Sequence, residues 1–480
     1  MTIPLSPARR APRLRKSIFC FAGSVAGLLL THYAFYPGKL STDGWYQLQE
    51  ARTALYTDWH PPLLSWIWRY VEILHRGPAL LFLLHAAMFW TGLGIIANLA
   101  YTRRRSCLWF LILAGLNPAV FSQQSLMIKD TAMASALTLA FALLLYAEKK
   151  SSWRAWSLAL PPLTYAIGVR HNGALAAVPF LLWAGLIFPR ASGIPLGRNP
   201  RRVGWLLGLF LFGSLTAGMK WTNNRLARGT NYYLYQNILL WDLTAISVQT
   251  GRLRMPEYIL NGRPDLDLAL LRHQYTPKAL DPLFFNWPPW FDDPHLAAAT
   301  PALFMTIDKA QIKQLFRYWT QEVRRQPLAY LKHRSRVFMQ LLNLNHDPVA
   351  QPLCDDDCSA MQNAKVLVDF DTSAPSATLS NAANKTVEWS ARTWLFRGYP
   401  YLLIPLGLLA LALCRRIRLD ASQIVLASSS LLYLCSYFFL SMAYYHRYLY
   451  WPIIAGTLAV AAALNREKTP GHPEHARQSA

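Results

Sequence analysis

Long apolar runs separated by short basic clusters constrain this chain more than any other feature of its sequence. A helix of about 20 apolar residues crosses the hydrocarbon core of a bilayer. Ten runs of roughly this length are predicted spans, namely residues 17–36, 78–101, 107–121, 131–146, 155–169, 174–188, 203–219, 394–414, 424–443 and 448–464. The sequence therefore predicts an all-α polytopic membrane protein with about ten transmembrane helices.

The composition is typical of a membrane protein, and the positions of the basic residues account for the high net charge. Hydrophobic residues make up 53% of the 480 residues and charged residues 15%, whereas soluble proteins usually carry about 25% charged residues. A formal net charge of +23 in a soluble protein would suggest nucleic-acid binding. Here the arginines and lysines lie between apolar runs, where they orient helices in the membrane. We therefore expect contact with a lipid bilayer and no nucleic-acid partner.

The basic clusters also predict the topology. If the ten spans alternate from a cytosolic start, every dense cluster falls on the cytosolic side, as positive charge in short loops requires. These clusters are residues 9–16, 103–105, 148–154, 190–202, 415–418 and 466–468. The first span follows five basic residues without a small-residue cleavage site, so it is predicted to be an uncleaved signal anchor. This predicts a multi-pass protein of the bacterial inner membrane with both termini in the cytosol.

The predicted topology divides the chain into five segments. They are a basic cytosolic N-terminus (1–16), a membrane module (17–220), an insertion (221–392), C-terminal membrane helices (393–464) and a cytosolic tail (465–480). The membrane module contains a first outer loop (37–77), whose second half is predicted to be an amphipathic helix on the outer membrane surface. Apolar residues at helical spacing predict that the insertion is a mainly helical periplasmic unit.

Four polar groups fall on the periplasmic side of this topology, although ionisable side chains near hydrocarbon cost free energy. They are Asp43, Asp58 and His60; Lys129 and Asp130; Arg170, His171 and Asn172; and His446 and Arg447. Lysine and arginine suit a lipid phosphate, and a carboxylate or an imidazole can take a proton from a hydroxyl. Together they predict transfer of a group from a lipid phosphate to a hydroxyl, with cations stabilising the departing phosphate.

The first outer loop, TDGWYQLQEARTALYTDWHPPLLSWIW, resembles that of GT-C superfamily glycosyltransferases of the protein O-mannosyltransferase and lipid A aminoarabinose transferase type. In those families an early Asp precedes a His-Pro-Pro-Leu or Lys-Pro-Pro-Leu element that opens a membrane-surface helix. The matching positions here are Asp43 and residues 60–63, and the resemblance covers about residues 17–190. It implies a polyprenyl-phosphate sugar donor, an extracytoplasmic active site and inversion at the anomeric carbon. Those families often carry Asp-Glu where this chain has Asp43-Gly44, so Asp58 is the candidate second carboxylate.

We therefore expect a GT-C-type glycosyltransferase with its active site in the periplasm. Asp43 is the predicted base, with Asp58 and His60 as further catalytic candidates. The donor phosphate is expected to bind Lys129, Arg170, His446 and Arg447, with Asp130, His171 and Asn172 as additional candidates. The acceptor is a cell-envelope glycan, a lipopolysaccharide or a protein. A membrane transporter or lipid flippase is one alternative function, and an envelope polysaccharide polymerase or ligase is another.

These residues also have structural explanations. Asp43 could cap a helix, because a carboxylate at such a position accepts from free backbone amides. Lys129 and Asp130 could form an ordinary interfacial ion pair, and Arg170 could extend its charge from a span end to the interface. Glu50 and Arg52 are expected to lie on a solvated face.

A CDDDC sequence in the insertion makes Cys354 and Cys358 a disulfide candidate, which requires an oxidising compartment. Two free thiols or a metal site are the alternatives. The aspartates at 355–357 could bind a divalent cation, whereas a solvated loop is the simpler interpretation. The sequence requires no cofactor.

Overall fold

The computed structural model describes residues 7–101, 103–194, 199–285, 300–345, 347–348 and 374–464. Every regular element within these ranges is a helix, which confirms the predicted all-α class. Cys354 and Cys358, the aspartates between them and the predicted tail lie outside the described residues.

The helices are named here in chain order. The first ten are α1 (Pro7–Phe35), α2 (Thr42–Thr53), α3 (Leu63–Leu74), α4 (Ala79–Ala100), α5 (Arg104–Gly115), α6 (Pro118–Gln124), α7 (Lys129–Lys150), α8 (Trp153–Val169), α9 (Gly173–Ser192) and α10 (Pro200–Leu226). They are followed by α11 (Tyr235–Thr250), α12 (Glu257–Gly262), α13 (Leu268–Gln274), α14 (Asp281–Phe284), α15 (Lys309–Arg325), α16 (Pro327–Leu342), α17 (Ala377–Ser390), α18 (Tyr399–Leu413), α19 (Ala421–Leu440) and α20 (Tyr450–Leu464). Two 3₁₀ turns, Trp394–Phe396 and His446–Leu449, precede α18 and α20.

Seven helical segments in the described residues are long and apolar enough to cross a membrane. They are α1 from Arg15, α4, α7, α9, α10, α19, and α20 with the turn before it. The predicted span 107–121 is instead two helices, α5 and α6, bent by 63° at Pro118, because a residue before proline is disfavoured in helical conformation. Counted together, this pair makes an eighth span.

The two remaining predicted spans correspond to shorter helices. α8 has 17 residues, and α18 has 15 in place of the predicted 394–414. By length and composition the structure therefore supports a multi-pass membrane protein with seven or eight long spans, and the predicted number of ten is not confirmed.

Glycine allows α9 and α10 to pack against each other at short distance. A Cβ atom on Gly185 of α9 would lie 2.2 Å from the carbonyl oxygen of Gly204 and 2.5 Å from the amide nitrogen of Gly208. Gly204 and Gly208 are four residues apart on one face of α10, the small-residue spacing that brings membrane helices together. Elsewhere α10 lies at the perimeter, since only 11% of its most apolar window is buried.

Helix α3 occupies the second half of the first loop, where the amphipathic helix is predicted. It buries Leu64 and Trp68 and leaves Ile73 and Leu74 75% and 79% exposed. The indole nitrogen of Trp68 donates to the carbonyl of Gly77 at 3.1 Å, which holds the end of α3 against the start of α4.

The insertion is helical in its described residues and has a core of its own, which includes Leu240, Trp241 and Leu315. The boundary predicted at residue 221 falls inside α10, which continues to Leu226. Two contacts fasten the insertion to the segment after α19: Leu280 donates its amide to Met442 O at 3.0 Å, and Arg334 donates to Ser441 O at 3.3 Å.

Candidate active site

Asp43 lies in the first turn of α2 but does not cap that helix. The cap is Ser41, whose hydroxyl accepts from the amide of Gly44. This leaves the Asp43 carboxylate available for other partners, close to the positive end of the helix dipole.

A short backbone bridge brings α2 to the start of α7. Lys39 donates its amide to Ser125 O at 2.7 Å, and Met127 donates to Lys39 O at 3.0 Å. A Cβ atom on Gly44 would lie 2.5 Å from the carbonyl oxygen of Met127, so any side chain at this position would separate the two segments. The glycine at position 44 therefore permits Asp43 to approach Lys129.

Three residues from separate segments of the chain meet at the Asp43 carboxylate. Its Oδ2 atom accepts from Arg447 Nη1 at 2.8 Å and from Lys129 Nζ at 3.2 Å. Lys129 also donates to His60 Nδ1 at 2.7 Å, and His60 Nε2 lies 3.7 Å from Asp43 Oδ1. The structure thus unites Asp43, His60, Lys129 and Arg447 in one charge cluster.

The cluster determines the protonation of its acid and its imidazole. Burial alone would raise the pKa of the Asp43 carboxyl, but the charges of Arg447 and Lys129 outweigh it and hold the pKa well below the usual value. Burial, reinforced by the charge of Lys129, lowers the pKa of His60 well below its usual value. His60 is therefore neutral. The Lys129 ammonium group can only donate, so His60 Nδ1 accepts from it and the proton of the neutral imidazole lies on Nε2. The Nε2 atom is buried and has no hydrogen-bond partner in the described part of the chain.

Arg170 is held by its own carboxylate beside this cluster. It forms a buried ion pair with Asp130 and donates from Nε to Asn172 Oδ1 at 2.9 Å. It also donates to the hydroxyl of Tyr437, and Asn172 donates to Ser436 at 3.3 Å. Most of the charge of Arg170 is balanced locally by Asp130, which lines neither cavity described below, whereas Asn172 both holds Arg170 and lines the second cavity.

Asp58 and His446 lie outside the charge cluster, although Asp58 lines the second of the two cavities described below. Asp58 accepts from the backbone amides of Tyr232 and Tyr233 at 2.5 and 2.9 Å, which ties the first loop to the segment after α10. His446 lies away from the charge cluster, with its ring 4.7 Å from that of Phe396 and its Nε2 atom 3.4 Å from Ala119 O. The structure therefore does not bring His446 together with Arg447, its neighbour in the sequence.

Two cavities meet at the charge cluster. The first has a volume of about 500 Å³ and the second about 650 Å³. They share a wall made of Asp43, Trp59, His60, Asp281, Phe285, Tyr445 and Arg447. A ligand in either cavity can therefore reach the Asp43 carboxylate.

The second cavity is lined by basic and by apolar side chains, together with Asp43, Asp58 and Asp281. Lys129, Arg170, His171 and Lys220 line it together with Arg447. Its apolar lining includes Ile167, Met219 and Leu440, which come from α8, α10 and α19. A phosphate attached to a long apolar chain matches this combination of side chains.

Sequence reasoning missed Asp281 and Lys220, which both line the cavities. Burial raises the pKa of Asp281 to about 6, although the charge of Arg447 opposes this. Asp281 opens α14 within the insertion, and its Asp-Pro pair indicates only a helix start. The bond between Leu280 and Met442 is what brings it to the site. Lys220 resembles any basic residue near a span end, so the sequence carried no signal that set it apart.

Glu50 corrects a further expectation. It is buried, whereas a solvated face was predicted, and Oε1 accepts from the amide and hydroxyl of Thr57 at 3.0 and 2.7 Å. Its other oxygen accepts from Ser65 at 2.8 Å. Arg52 instead pairs with Glu72 at 2.5 Å. Glu50 thus holds the loop that ends in His60 against α3.

No group of three or more His, Cys, Asp or Glu side chains suited to a metal ion occurs in the described ranges. No protein-family model matches this chain, and no curated protein matches it significantly. The GT-C relationship therefore remains a prediction from the first loop.

Proposed function

We propose that this protein is a GT-C-type glycosyltransferase of the bacterial inner membrane that moves a sugar from a polyprenyl-phosphate carrier to a hydroxyl acceptor on the periplasmic face. One observation carries the proposal: an ionised carboxylate, held by a lysine and an arginine, lies in the wall between two cavities of opposite character. A two-substrate group transfer needs such an arrangement.

The second cavity is the proposed donor site. The polyprenyl chain would follow the apolar surfaces of α8, α10 and α19, and the phosphate would bind Lys129, Arg447 and Lys220. Arg170 adds positive potential, although Asp130 neutralises most of it. Cations at the oxygen that becomes negative in the transition state accelerate its departure.

Before the donor binds, Asp43 is ion-paired with Lys129 and Arg447. A carboxylate whose pKa is held low is a weak base. An incoming phosphate competes for Arg447 and Lys129, which relieves Asp43 and raises its pKa towards that of an effective base. This order of events would keep Asp43 a weak base until a donor occupies the second cavity.

The transfer then proceeds in one displacement. The acceptor oxygen attacks the anomeric carbon while its proton passes to Asp43. The bond between the anomeric carbon and the phosphate oxygen breaks, and the phosphate leaves with the electron pair. Attack from the face opposite the phosphate inverts the anomeric configuration. Positioning the two reactants in adjoining cavities supplies much of the rate enhancement, because association entropy is lost on binding.

A polymerase or ligase that uses diphosphate donors is the second candidate. Lys220 favours it, because a further cation in a cavity of about 650 Å³ suits a second phosphate. A transporter is less consistent with the geometry, since transporter sites lie near the middle of the bilayer. Here Asp43 follows the end of α1, and Lys129 lies at the first residue of α7.

The test compares two lysine variants of one helix in proteoliposomes. Lys150 lies exposed at the opposite end of α7 from Lys129, so Lys150→Met is the matched control for Lys129→Met. Radiolabelled sugars on polyprenyl monophosphate and diphosphate are supplied with a delipidated envelope extract as acceptor. We expect sugar release from the monophosphate donor, reduced about tenfold or more in Lys129→Met and unchanged in Lys150→Met.

The outcomes separate the candidates. Release from the diphosphate donors alone would favour the ligase or polymerase. Absence of release from every donor with well-folded wild-type protein would refute the glycosyltransferase proposal. Normal release by a folded Lys129→Met variant would remove Lys129 from the donor site.

A further inference from the structure

We propose that the first cavity binds the acceptor as an uncharged carbohydrate and rejects acceptors that carry a phosphate or carboxylate near the reacting hydroxyl. This inference rests on the proposed function and specifies its second substrate. It is carried by the charges and side chains that line the first cavity and by their contrast with the second.

The first cavity is acidic. Asp43, Glu50 and Asp281 line it, and Arg447 is its one cationic side chain among the described residues. That guanidinium already donates to Asp43. Lys129, by contrast, lines only the second cavity. An anionic group entering the first cavity would therefore meet carboxylates without a free counter-charge, and like charges at short range repel strongly in a partly dehydrated site.

The remaining lining suits a sugar ring. Tyr46, Trp59 and Tyr232 supply aromatic surfaces, and the ring of Trp59 stands edge-on to that of Tyr232 at 5.6 Å. Thr53 and Gln49 add a hydroxyl and an amide. Carbohydrates present apolar C–H faces and outward hydroxyls. A few placed polar groups among aromatic walls recognise both features.

The shared wall supplies a donor for the reacting hydroxyl. His60 lines both cavities and is 3% exposed, and its buried Nε2–H, 3.7 Å from Asp43 Oδ1, has no hydrogen-bond partner in the described part of the chain. A buried N–H without a partner costs free energy, which a bound acceptor oxygen would recover. Asp281 offers a carboxylate on the same wall to accept from a neighbouring sugar hydroxyl.

The inference also explains how two substrates avoid each other's sites. The anionic head of a lipid donor is attracted to Lys129 and Lys220, which line only the second cavity, and repelled from Glu50, which lines only the first. A neutral sugar has no such preference and is selected by the aromatic walls of the first cavity. Discrimination by repulsion is as effective as discrimination by added contacts.

The experiment measures binding without the donor. Full-length protein in detergent is titrated with neutral methyl glycosides of hexoses, 6-deoxyhexoses, pentoses and N-acetylhexosamines. Glucose 6-phosphate and methyl glucuronide serve as anionic probes, and quenching of tryptophan fluorescence reports occupancy near Trp59. We expect at least one neutral glycoside to bind about tenfold or more tightly than either anionic probe.

Two variants alter the charge of the cavity. Thr53 is exposed at the end of α2, where a lysine is compatible with the helix dipole, so Thr53→Lys should bind the anionic probes several-fold more tightly. Gln321→Lys adds the same charge at an exposed position of α15, away from the cavity, and should change nothing. Asp281→Asn should shift the preference in the same direction as Thr53→Lys.

Anionic probes that bind as tightly as the neutral glycosides, or no neutral binding up to the solubility limits, would overturn the inference. The proposed function fails separately, through absent donor turnover. Turnover with a preference for phosphorylated acceptors would leave the function intact and refute this inference alone.

Discussion

Replacing Asp43 by asparagine tests the charge cluster most directly, because two quantities should change in opposite directions. The substitution keeps the size of the side chain and removes its charge. Lys129 and Arg447 then lose their counter-ion, while a donor phosphate no longer has a carboxylate to displace. We expect slower sugar transfer together with tighter donor binding.

The distances set the magnitudes. At 2.8 and 3.2 Å, the gross attractions of Arg447 and Lys129 to Asp43 are about 6 and 5 kcal/mol for an effective dielectric constant of about 20. Desolvation offsets most of this, so a net gain of about 1.4 kcal/mol, or about tenfold, in donor affinity is reasonable. Loss of a general base lowers the rate by about 10² to 10⁴, or about 3 to 5 kcal/mol of barrier.

Single-turnover sugar transfer and equilibrium binding of a radiolabelled donor measure the two quantities separately. Asp265→Asn is the matched control, since Asp265 is 65% exposed and pairs with Arg263 on the surface. Thermal unfolding confirms that each variant is folded. Unchanged transfer in Asp43→Asn would exclude a base at this position. Weaker donor binding alongside slower transfer would refute the stored ion pair.

Three further predictions concern the pH profile, the insertion and the membrane helices. The pKa of Asp281 is raised to about 6 by burial, so acceptor binding that needs its ionised form should rise as pH increases through about 6, and Asp281→Asn should lack this limb of the pH–rate profile. Arg334 Nε lies 2.7 Å from the buried Asp242 carboxylate, and Arg334→Met would leave that carboxylate without its cation. The free energy of unfolding should therefore fall by about 3–5 kcal/mol in a denaturation assay, and an unchanged value would show that the ion pair is dispensable. Gly208→Leu should lower the midpoint temperature of unfolding, because a Cβ atom at position 208 would lie 2.7 Å from the backbone of α9. A Cβ atom at position 213 of the same helix meets nothing within 4 Å, so Gly213→Leu is the control, and equal midpoints for the two variants would contradict close packing of α9 and α10.

Some elements were predictable because their signals are local. Apolar length identified seven long spans, and apolar spacing identified α3. The same criterion failed where proline intervenes, as at Pro118, which divides one predicted span into α5 and α6. Hydropathy averages over a window and is insensitive to a single residue that breaks helical conformation.

Asp58 and Asp281 show why the sequence alone could not identify the carboxylates of the candidate site. Both are carboxylates next to helix starts, and the sequence favoured Asp58 because it precedes the His-Pro-Pro element. Both carboxylate oxygens of Asp58 accept from backbone amides, whereas Asp281 lies in the wall that the two cavities share. The position of each carboxylate depends on contacts that join residues more than 160 positions apart in the chain.

The sequence by itself determined that this chain is helical and built for a membrane, since both properties follow from residue type and spacing within single segments. It also singled out Asp43, His60, Lys129 and Arg447 as polar residues in an unfavourable setting. Only the tertiary structure decided that these four share one cluster, that Asp130 neutralises Arg170 and that the His446 ring packs against Phe396, away from the cluster. Long-range contacts such as the pairing of Lys39 with Ser125 and Met127 set those distances, and pairwise electrostatics depends on distance in a way that no local pattern encodes.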